Sequence, residues 1–462
     1  MFNSSVYTNR RKALKKAMSA GIILMPGNLE TPYNYPANTY HFKQDSNFVY
    51  FFGLNIPGIF GLIDLDSDTD YIFGNDFDLD DIIWMGPQPA LSELALKAGV
   101  NKTGSLKELN EFLNSAISKG QKINIVPPYR GETKIQLADL LNIRHSEISN
   151  YISVGLIKAI VELRSIKEDI EVSEIEKALE TAYLMHTTAM KMARPGIIEQ
   201  EIAGKIEGIA ISGGGPVSFP IILSVNGETL HNHNHSNVLQ LGKLMVTDAG
   251  CETSLGYCSD ITRTVPVGGK FNQMQKEIYE IVLKANQETI KNSKPGIFYR
   301  DIHLMAAKVI ATGLKDLGLM KGDIESAVNE GAHALFFPHG LGHMLGLDVH
   351  DMEGIGENFV GYDDEIKRSE QFGLAFLRLG RKLQKGFVIT DEPGIYFIPT
   401  LIDQWKKENK HTNFINYNKL EQYKGFGGIR IEDNLQITDI GCKVLGRPIP
   451  KTVDEIENLM NF

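Results

Sequence analysis

Two helical segments in this chain end in the same way. One apolar stripe at helical spacing stops at Arg-Pro-Gly (194–196), and another stops at Lys-Pro-Gly (294–296). The continuations are also alike, PGIIEQEI at 195–202 and PGIFYRDI at 295–302. We interpret the likeness as an internal duplication in which each half runs helix, Pro-Gly turn, helix and strands. The alternative is chance similarity of two Pro-Gly-Ile turns.

The N-terminal third has a different pattern. The apolar runs HFKQDSNFVYFFGL (41–54) and GIFGLIDLDSDTDYIFG (58–74) predict strands, whereas ELALKAGV and LKELNEFLNSAI have a helical period. Titratable groups that could form a site are sparse there. Because 462 residues exceed what one core usually holds, we predict a mixed α/β chain with two domains, 1–160 and 161–462.

Composition and charge exclude several classes of protein. With 42% hydrophobic residues, no apolar run near ~18 residues and no apolar core at the N-terminus, we expect a soluble, cytoplasmic protein. A net charge of -10 without a basic run disfavours nucleic acids and anionic membranes as partners. Cys251, Cys258 and Cys442 fit neither a disulfide framework nor a zinc ribbon, so we expect small, half-buried thiols.

Carboxylates follow the predicted strands of the first half. In KLMVTDAG (243–250) alternation places Asp248 on the face of the apolar residues, and in SDITRTVPV (259–267) it places Asp260 on one face with Thr262 and Thr264. A hairpin centred on Ser254 would place the two aspartates opposite each other, ~5 Å apart. Carboxylates at that distance repel unless a cation or a proton lies between them. Two surface aspartates at a turn are the alternative, but that leaves the apolar strands unexplained.

The second half repeats this arrangement and adds histidines. GFVITDEPGIYF (386–397) carries Glu392, and GGIRIEDN (427–434) carries Glu432. The glycines of HGLGHMLGLDVH (339–350) argue against a stable helix, so this segment is predicted to approach the site as loop and strand. Four carboxylates and one neutral imidazole offset two divalent cations. Such an oxygen-rich set suits Mn²⁺, or Co²⁺ and Fe²⁺, better than a thiolate zinc site, and it suits metal-assisted hydrolysis.

These motifs resemble a known family. VTDAGCETSLGYCSDITRT, HGLGHMLGLDVH, ITDEPGIYF and GGIRIEDN resemble the metal-binding motifs of Xaa-Pro aminopeptidases and prolidases, the proline-specific pita-bread metallopeptidases. NTYHFKQDSNFVYFFGLNIPG is similar to the aminopeptidase P N-terminal domain. The resemblance implies an α/β N-terminal domain followed by a pita-bread catalytic domain with a pseudo-twofold duplication. It also implies two divalent metal ions, Mn²⁺ foremost with Co²⁺, Fe²⁺ or Zn²⁺ as alternatives, held by Asp248, Asp260, His343, Glu392 and Glu432.

The resemblance assigns further roles around these ligands. Asp260 and Glu432 would bridge the metals, and Glu392 would also take part in catalysis. The other implied residues are His231 and His350, which hold substrate and stabilise the tetrahedral intermediate; Arg430, which orients Glu432; Tyr396, a substrate-binding residue just past a ligand strand; Arg378, which meets the substrate carboxylate; and Trp84, which either lines the cleft of a neighbouring subunit or packs inside its own domain. His339 then either supports the ligand residues or is structural, and a homodimer is the expected assembly.

The implied activity is cleavage of the bond before proline at the N-terminus of a peptide. Two departures bear on it. The interval between the aspartates is one residue longer than usual, which predicts a bulge, and the insertion at 397–426 has the length found in dipeptide-cleaving prolidases. Its polar composition favours a solvated outer segment, hence an aminopeptidase that also accepts dipeptides. A strict Xaa-Pro dipeptidase is one alternative; a non-catalytic peptide-binding module is the other, although all five ligand positions are filled.

Overall fold

The computed structural model describes residues 1–461 and divides into two compact units. Unit 1 comprises Met1–Arg164 and Met352–Phe359, and unit 2 comprises Ser165–Asp351 and the chain from Val360 onward. Among the helices of this described part, none combines the length and apolar character that a bilayer span requires.

Unit 1 is built on one mixed sheet. Its strands are β1 (Ile22–Pro26), β2 (Phe60–Asp64), β3 (Thr69–Phe73), β4 (Lys102–Gly104) and β5 (Ile123–Asn124). Their order is β4-β3-β2-β1-β5, with the outer pairs parallel and the inner pairs antiparallel. The helices are α1 (Ser4–Ala17), α2 (Ser46–Phe52), α3 (Leu79–Met85), α4 (Leu91–Lys97), α5 (Leu106–Ser118), α6 (Gly131–Leu141) and α7 (Val154–Ser165). One face of α5 and one face of α6 pack on the sheet to form the core.

Helix α2 corrects the strand predicted over 41–54. Asp45 accepts hydrogen bonds from the backbone N–H groups of Asn47 and Phe48, which caps the start of the helix. Gly53 ends it in the left-handed region at φ 69°. Buried aromatic side chains then follow at helical spacing. The two caps outweigh the β-propensity of the aromatic run.

Unit 2 contains the remaining elements, apart from the start of α13 (Glu357–Gly361), which belongs to the unit 1 segment. The other helices are α8 (Asp169–Met192), α9 (Glu199–Ser212), α10 (Gln273–Asn292), α11 (Tyr299–Asp316), α12 (Ile324–Asn329), α14 (Pro399–Lys407), α15 (Tyr417–Leu420) and α16 (Val453–Leu459). The strands are β6 (Ile222–Ser224), β7 (Leu244–Ala249), β8 (Ile261–Pro266), β9 (Val388–Asp391), β10 (Gly394–Tyr396), β11 (Gly428–Arg430), β12 (Asp433–Ile437) and β13 (Cys442–Val444). They form antiparallel sheets in the orders β6-β7-β8, β13-β12-β9 and β10-β11.

The predicted duplication is confirmed within unit 2. The first half runs from α8 to β8 and the second from α10 to β13. Gly196 and Gly296 have φ values of 90° and 85°, and their N–H groups donate to Leu239 O and Leu383 O, each at 2.9 Å. Strands β7 and β9 begin at the same distance beyond those two leucines. Equal turns therefore place equal strands in the two halves.

The strand register differs from the predicted hairpin. Asp248 pairs with Thr262, not with Asp260, and Glu252 pairs with Cys258 in the same register. The expected bulge is therefore absent, and the extra residue shifts the centre of the hairpin instead. Diagonal neighbours on one face are ~7–8 Å apart, so the negative charge of Asp248 still acts on Asp260.

Buried arginines link the two halves. Arg263 of β8 donates to Asp433 Oδ1 at 2.7 Å and to Glu432 O at 2.6 Å. Lys451 also contacts Asp433, at 2.5 Å. These two cations hold the pKa of the buried Asp433 carboxyl well below its usual range. In the opposite direction, Arg430 of β11 reaches the first half. Each half therefore neutralises a buried charge of the other.

Candidate active site

Three predicted metal ligands lie together in unit 2. The ligand atoms of Asp260, His343 and Glu432 are all within 4.8 Å of one another, and all three residues are buried. His343 Nε2 lies 3.4 Å from Asp260 Oδ2 and 3.9 Å from Glu392 Oε1. Asp248 and Glu392 line the same cleft. The structure thus places all five predicted ligand residues around one cleft.

The carboxylates do not all lie within strands, as the sequence had suggested. Only Asp248 lies inside one, in β7. Asp260 directly precedes β8, Glu392 directly follows β9, and Glu432 separates β11 from β12. The chain has left the hydrogen-bonded ladder at these positions. The backbone can therefore turn these side chains toward a shared centre.

His343 is held against β9 by its glycine-rich loop. Its backbone N–H donates to Thr390 Oγ1 at 3.1 Å, and its carbonyl accepts from Thr390 N–H at 3.0 Å. A Cβ on Gly342 would lie 2.2 Å from Thr390 O, so only glycine permits this approach. The imidazole Nδ1–H donates to Met344 O at 3.0 Å, which leaves the Nε2 lone pair facing Asp260.

The electrostatics of the cluster fit bound cations. Asp248 Oδ1, Asp260 Oδ1 and Glu432 Oε1 are buried without a hydrogen-bond partner among the described residues. Burial and neighbouring carboxylates raise the pKa of both Asp260 and Glu432 well above the usual range. Burial is also the main reason why the pKa of Glu392 rises to about 7. Carboxylates this close and this buried are stable as anions only beside compensating positive charge.

Arg430 supports the cluster through hydrogen bonds. It donates to Asp248 Oδ2 at 2.6 Å and to the Tyr396 hydroxyl at 2.7 Å. It reaches Glu432 only through Thr262, whose Oγ1 accepts from Arg430 Nε at 3.1 Å and donates to Glu432 Oε2 at 2.7 Å. The predicted role of Arg430 in orienting Glu432 stays a prediction, and the hydrogen bonds that could carry it pass through Thr262. Thr262 is a supporting residue that the sequence reasoning missed, although it shares a strand face with Asp260.

His339 also belongs to this network. Its Nδ1–H donates to Gly340 O at 2.8 Å, so its Nε2 accepts from the Tyr396 hydroxyl at 2.9 Å. Burial and the charge of Arg430 lower the pKa of His339 to about 3. A neutral imidazole thus continues the line of hydrogen bonds that runs from Asp248 through Arg430 and Tyr396. The side chain of Tyr396 is fully buried and contacts Arg430 and His339, so its predicted contact with substrate is not observed.

The other predicted residues line the same cleft of about 570 Å³, with one exception. His231, His350 and Arg378 are among its lining residues, and the ring of His350 stacks on His343 at 3.8 Å. Partial burial and the charge of Arg430 lower the pKa of His231. The exception is Trp84, which lies on α3 in unit 1 and is 85% exposed. The alternative of a tryptophan packed inside its own domain is therefore wrong.

Comparison with known proteins identifies the family. The sequence profile described as metallopeptidase family M24 matches residues 173–439, more than half of the chain. The chain belongs to metallopeptidase family M24. A second profile, the aminopeptidase P N-terminal domain, matches residues 7–126 of this M24 peptidase.

Relatives of this M24 peptidase carry two names. It is similar to the Xaa-Pro dipeptidase of Homo sapiens, with 32% identity over 96% of this chain and 90% of the relative. It is also similar to a probable Xaa-Pro aminopeptidase of Fusarium vanettenii, with 35% identity over 91% and 88%. Among solved structures, proline aminopeptidase P II from Yersinia pestis matches with a TM-score of 0.82, 30% identity and 99% coverage of both chains. The predicted family, fold class and hydrolase activity are thereby confirmed.

Proposed function

We propose that this chain is an Xaa-Pro aminopeptidase that also accepts Xaa-Pro dipeptides. The observation that carries the proposal is the group of buried carboxylate oxygens without partners beside His343, which opens into a cleft large enough for a peptide. A relative named Xaa-Pro dipeptidase and one named probable Xaa-Pro aminopeptidase each align with more than nine-tenths of this chain. A non-catalytic binding module would not require several mutually repelling carboxylates in its core.

The proposed cofactor is a pair of divalent cations, with Mn²⁺ the first choice because the donors are mainly carboxylate oxygens. Such cations supply Lewis acidity toward a carbonyl and lower the pKa of water. Asp248, Asp260, His343, Glu392 and Glu432 would hold the cations, with Asp260 and Glu432 as the proposed shared ligands.

The chain's own groups bind and orient the substrate in this proposal. The amide before proline has no N–H, so no acceptor is needed for it, and an apolar surface can hold the pyrrolidine ring. His231 and His350 donate to the substrate carbonyl from the two halves of the cleft. Arg378 attracts the C-terminal carboxylate of a dipeptide. Glu392 lines the cleft beside the ligands and is the proposed group for proton transfer.

We further propose a cytoplasmic homodimer in which residues 1–160 form the aminopeptidase P-like domain and Trp84 completes the cleft of the partner. Helix α3 exposes Leu79, Ile83, Trp84 and Met85, each by more than half of its surface. An apolar patch of this kind is typical of an interaction surface. Analytical ultracentrifugation of wild type and Trp84→Ser tests the proposal, which a monomeric wild type would contradict.

The activity is tested by supplying Mn²⁺ to the metal-free protein and offering Ala-Pro and Ala-Pro-Ala. We expect both peptides to be cut within a tenfold range of kcat/KM, and Ala-Ala-Ala to be left intact. A loss beyond ~100-fold on the tripeptide, about 2.7 kcal/mol, would identify a strict dipeptidase. Absence of cleavage of every peptide, in protein that holds the metal, would overturn the enzymatic proposal.

A further inference from the structure

One wall of the cleft is apolar and is formed by two separate segments. Phe372 and Phe376 come from the loop that leads to Arg378, and Ile398 and Leu401 come from the start of α14. We call these four side chains the apolar shelf. Phe376 is 55% exposed and Phe372 is 38% exposed, with the two rings edge to face at 6.0 Å. The shelf therefore offers apolar surface to whatever occupies the cleft.

Helix α14 presents this surface because of its sequence pattern. Pro399 is favoured in its first turn, and the apolar positions 398, 401, 402 and 405 form one stripe along the helix. Ile402 and Trp405 are buried, whereas Ile398 and Leu401 are only half-buried at the edge of the cleft. The polar residues at 403 and 404 are exposed on the opposite side. The insertion is thus solvated on one side and lines the cleft on the other, which corrects the expectation of a purely outer segment.

The insertion is fastened in this position. Lys406 pairs with Glu421 at 2.7 Å, and Lys424 pairs with Asp403 at 2.6 Å. Beneath the shelf, Trp405 packs against the edge of Phe372 at 5.8 Å between ring centres. A surface held in this way is formed before any ligand arrives, so little ordering entropy is lost on binding.

The proposed position of cleavage and the position of Arg378 determine which end of a peptide faces the shelf. The bond before proline would be cut beside Asp260, His343 and Glu432, so the N-terminal residue lies at that end of the cleft. The C-terminal direction is drawn toward Arg378, which lies two residues beyond Phe376 on the loop of the shelf. A dipeptide ends at proline and leaves the shelf uncovered, whereas a longer peptide continues past Arg378 and over it.

We propose that the apolar shelf is a binding site for the side chain of the residue that follows proline, and that it selects peptides with an apolar residue there. This inference rests on the proposed aminopeptidase activity and extends it to a substrate class, Xaa-Pro followed by an apolar residue.

The test compares kcat/KM on Ala-Pro, Ala-Pro-Gly and Ala-Pro-Leu in the Mn²⁺-loaded enzyme. Wild type should prefer Ala-Pro-Leu over Ala-Pro-Gly by roughly tenfold, the effect expected from partly burying one leucine side chain. Leu401→Ala and Phe376→Ala should each remove most of that preference while changing Ala-Pro turnover less than twofold. Thr400→Ala, an exposed position in the same helix turn, is the matched control and should retain the preference.

The outcomes separate the two proposals. If no peptide is cut, the proposed function fails. If Ala-Pro is cut and both tripeptides are refused, the chain is a dipeptidase and the shelf closes the cleft, which overturns the inference. If both tripeptides are cut equally, the inference alone fails. Equal losses on all three substrates in Leu401→Ala would show that the residue only maintains the fold, and would also overturn it.

Discussion

The two halves of unit 2 place carboxylates at equivalent positions but differ in the loops between them. Asp248 and Glu392 stand at the ends of β7 and β9, and Asp260 and Glu432 directly precede β8 and β12. In the first half a short turn connects the two positions, whereas in the second half the connection includes β10, α14, α15 and β11. The strands fix where charge accumulates, and the loops supply the surfaces that a substrate meets.

The edge beside each central strand shows the same division. In the first half β6 pairs with β7 and carries none of the predicted ligands. In the second half the glycine-rich segment with His343 occupies the edge of β9. The site is therefore symmetric in its carboxylates and asymmetric in its imidazole ligand.

The largest expected effect tests the symmetry of the carboxylates. Asp260→Asn and Glu432→Gln should each lower kcat/KM by roughly 10⁴-fold. Each removes a carboxylate charge needed to hold the metal, and the metal contributes several kcal/mol to transition-state stabilisation. Elemental analysis should find both variants depleted of metal. Asp439→Asn, whose carboxylate lies in an exposed pair with Lys385, is the control and should remain active. Metal loss in only one of the two variants would show that the two halves do not contribute equally to metal binding.

The buried charge that links the halves should affect stability. Asp433→Asn leaves Arg263 without its carboxylate in the interior, which should lower the free energy of unfolding by about 3–5 kcal/mol. Thermal unfolding followed by circular dichroism measures the change, again with Asp439→Asn as the exposed control. Equal melting temperatures for the two variants would show that the linkage contributes little.

The cleft histidines offer a functional comparison. His231 belongs to the first half and His350 to the second, and both line the cleft. Replacing either one with alanine should lower kcat by roughly 100-fold, the lower range for a positioned donor, with the metal content unchanged. A metal-free His350 variant would instead make this residue a ligand and its ring stacking on His343 incidental.

The smallest expected effect concerns acid stability. Burial and the neighbouring His333 keep the pKa of His303 well below 6.5, and burial lowers the pKa of His333 to about 4. Neutral imidazoles therefore stabilise the fold above pH 6.5, and this stability is lost as the pH falls from 6.5 toward 4. Each proton that these imidazoles must take up in this interval therefore lowers the free energy of unfolding.

Replacing His303 with leucine should make the melting temperature decrease less steeply as the pH falls from 6.5 toward 4. Buried His186 of the first half, whose pKa is lowered to about 4 and whose Nε2–H donates to Ala249 O at 2.9 Å, gives the comparison. An unchanged acid limb in His303→Leu would assign the acid sensitivity to other groups.

Alternation along the strands was sufficient only for Asp248, because side-chain direction follows from position alone inside a strand. Asp260, Glu392 and Glu432 lie just outside the strands, where alternation does not fix side-chain direction. It was not sufficient to identify His343 among its neighbouring histidines. That distinction depends on the hydrogen bonds of Thr390 and Met344, which lie in other parts of the loop and in β9. The family resemblance, not the spacing, supplied the assignment.

Two other expectations failed for local reasons. The aromatic run before Gly53 has strand propensity, yet a cap at each end makes it a helix. In the insertion, average polarity hid a narrow apolar stripe, so Ile398 and Leu401 were expected to lie outside the cleft that they line. Composition is an average over a whole segment, whereas the two faces of one helix can differ in burial.

The linkage through Arg263 also affects how the chain is made. Its carboxylate partner Asp433 lies 170 residues further along the sequence. At 5–20 residues per second the ribosome needs roughly 10–30 s to add that stretch. During this interval the β8 guanidinium has no counter-charge to be buried with, and water must solvate it. We expect the first half to lack this stabilising ion pair on the ribosome until the second half has been synthesised.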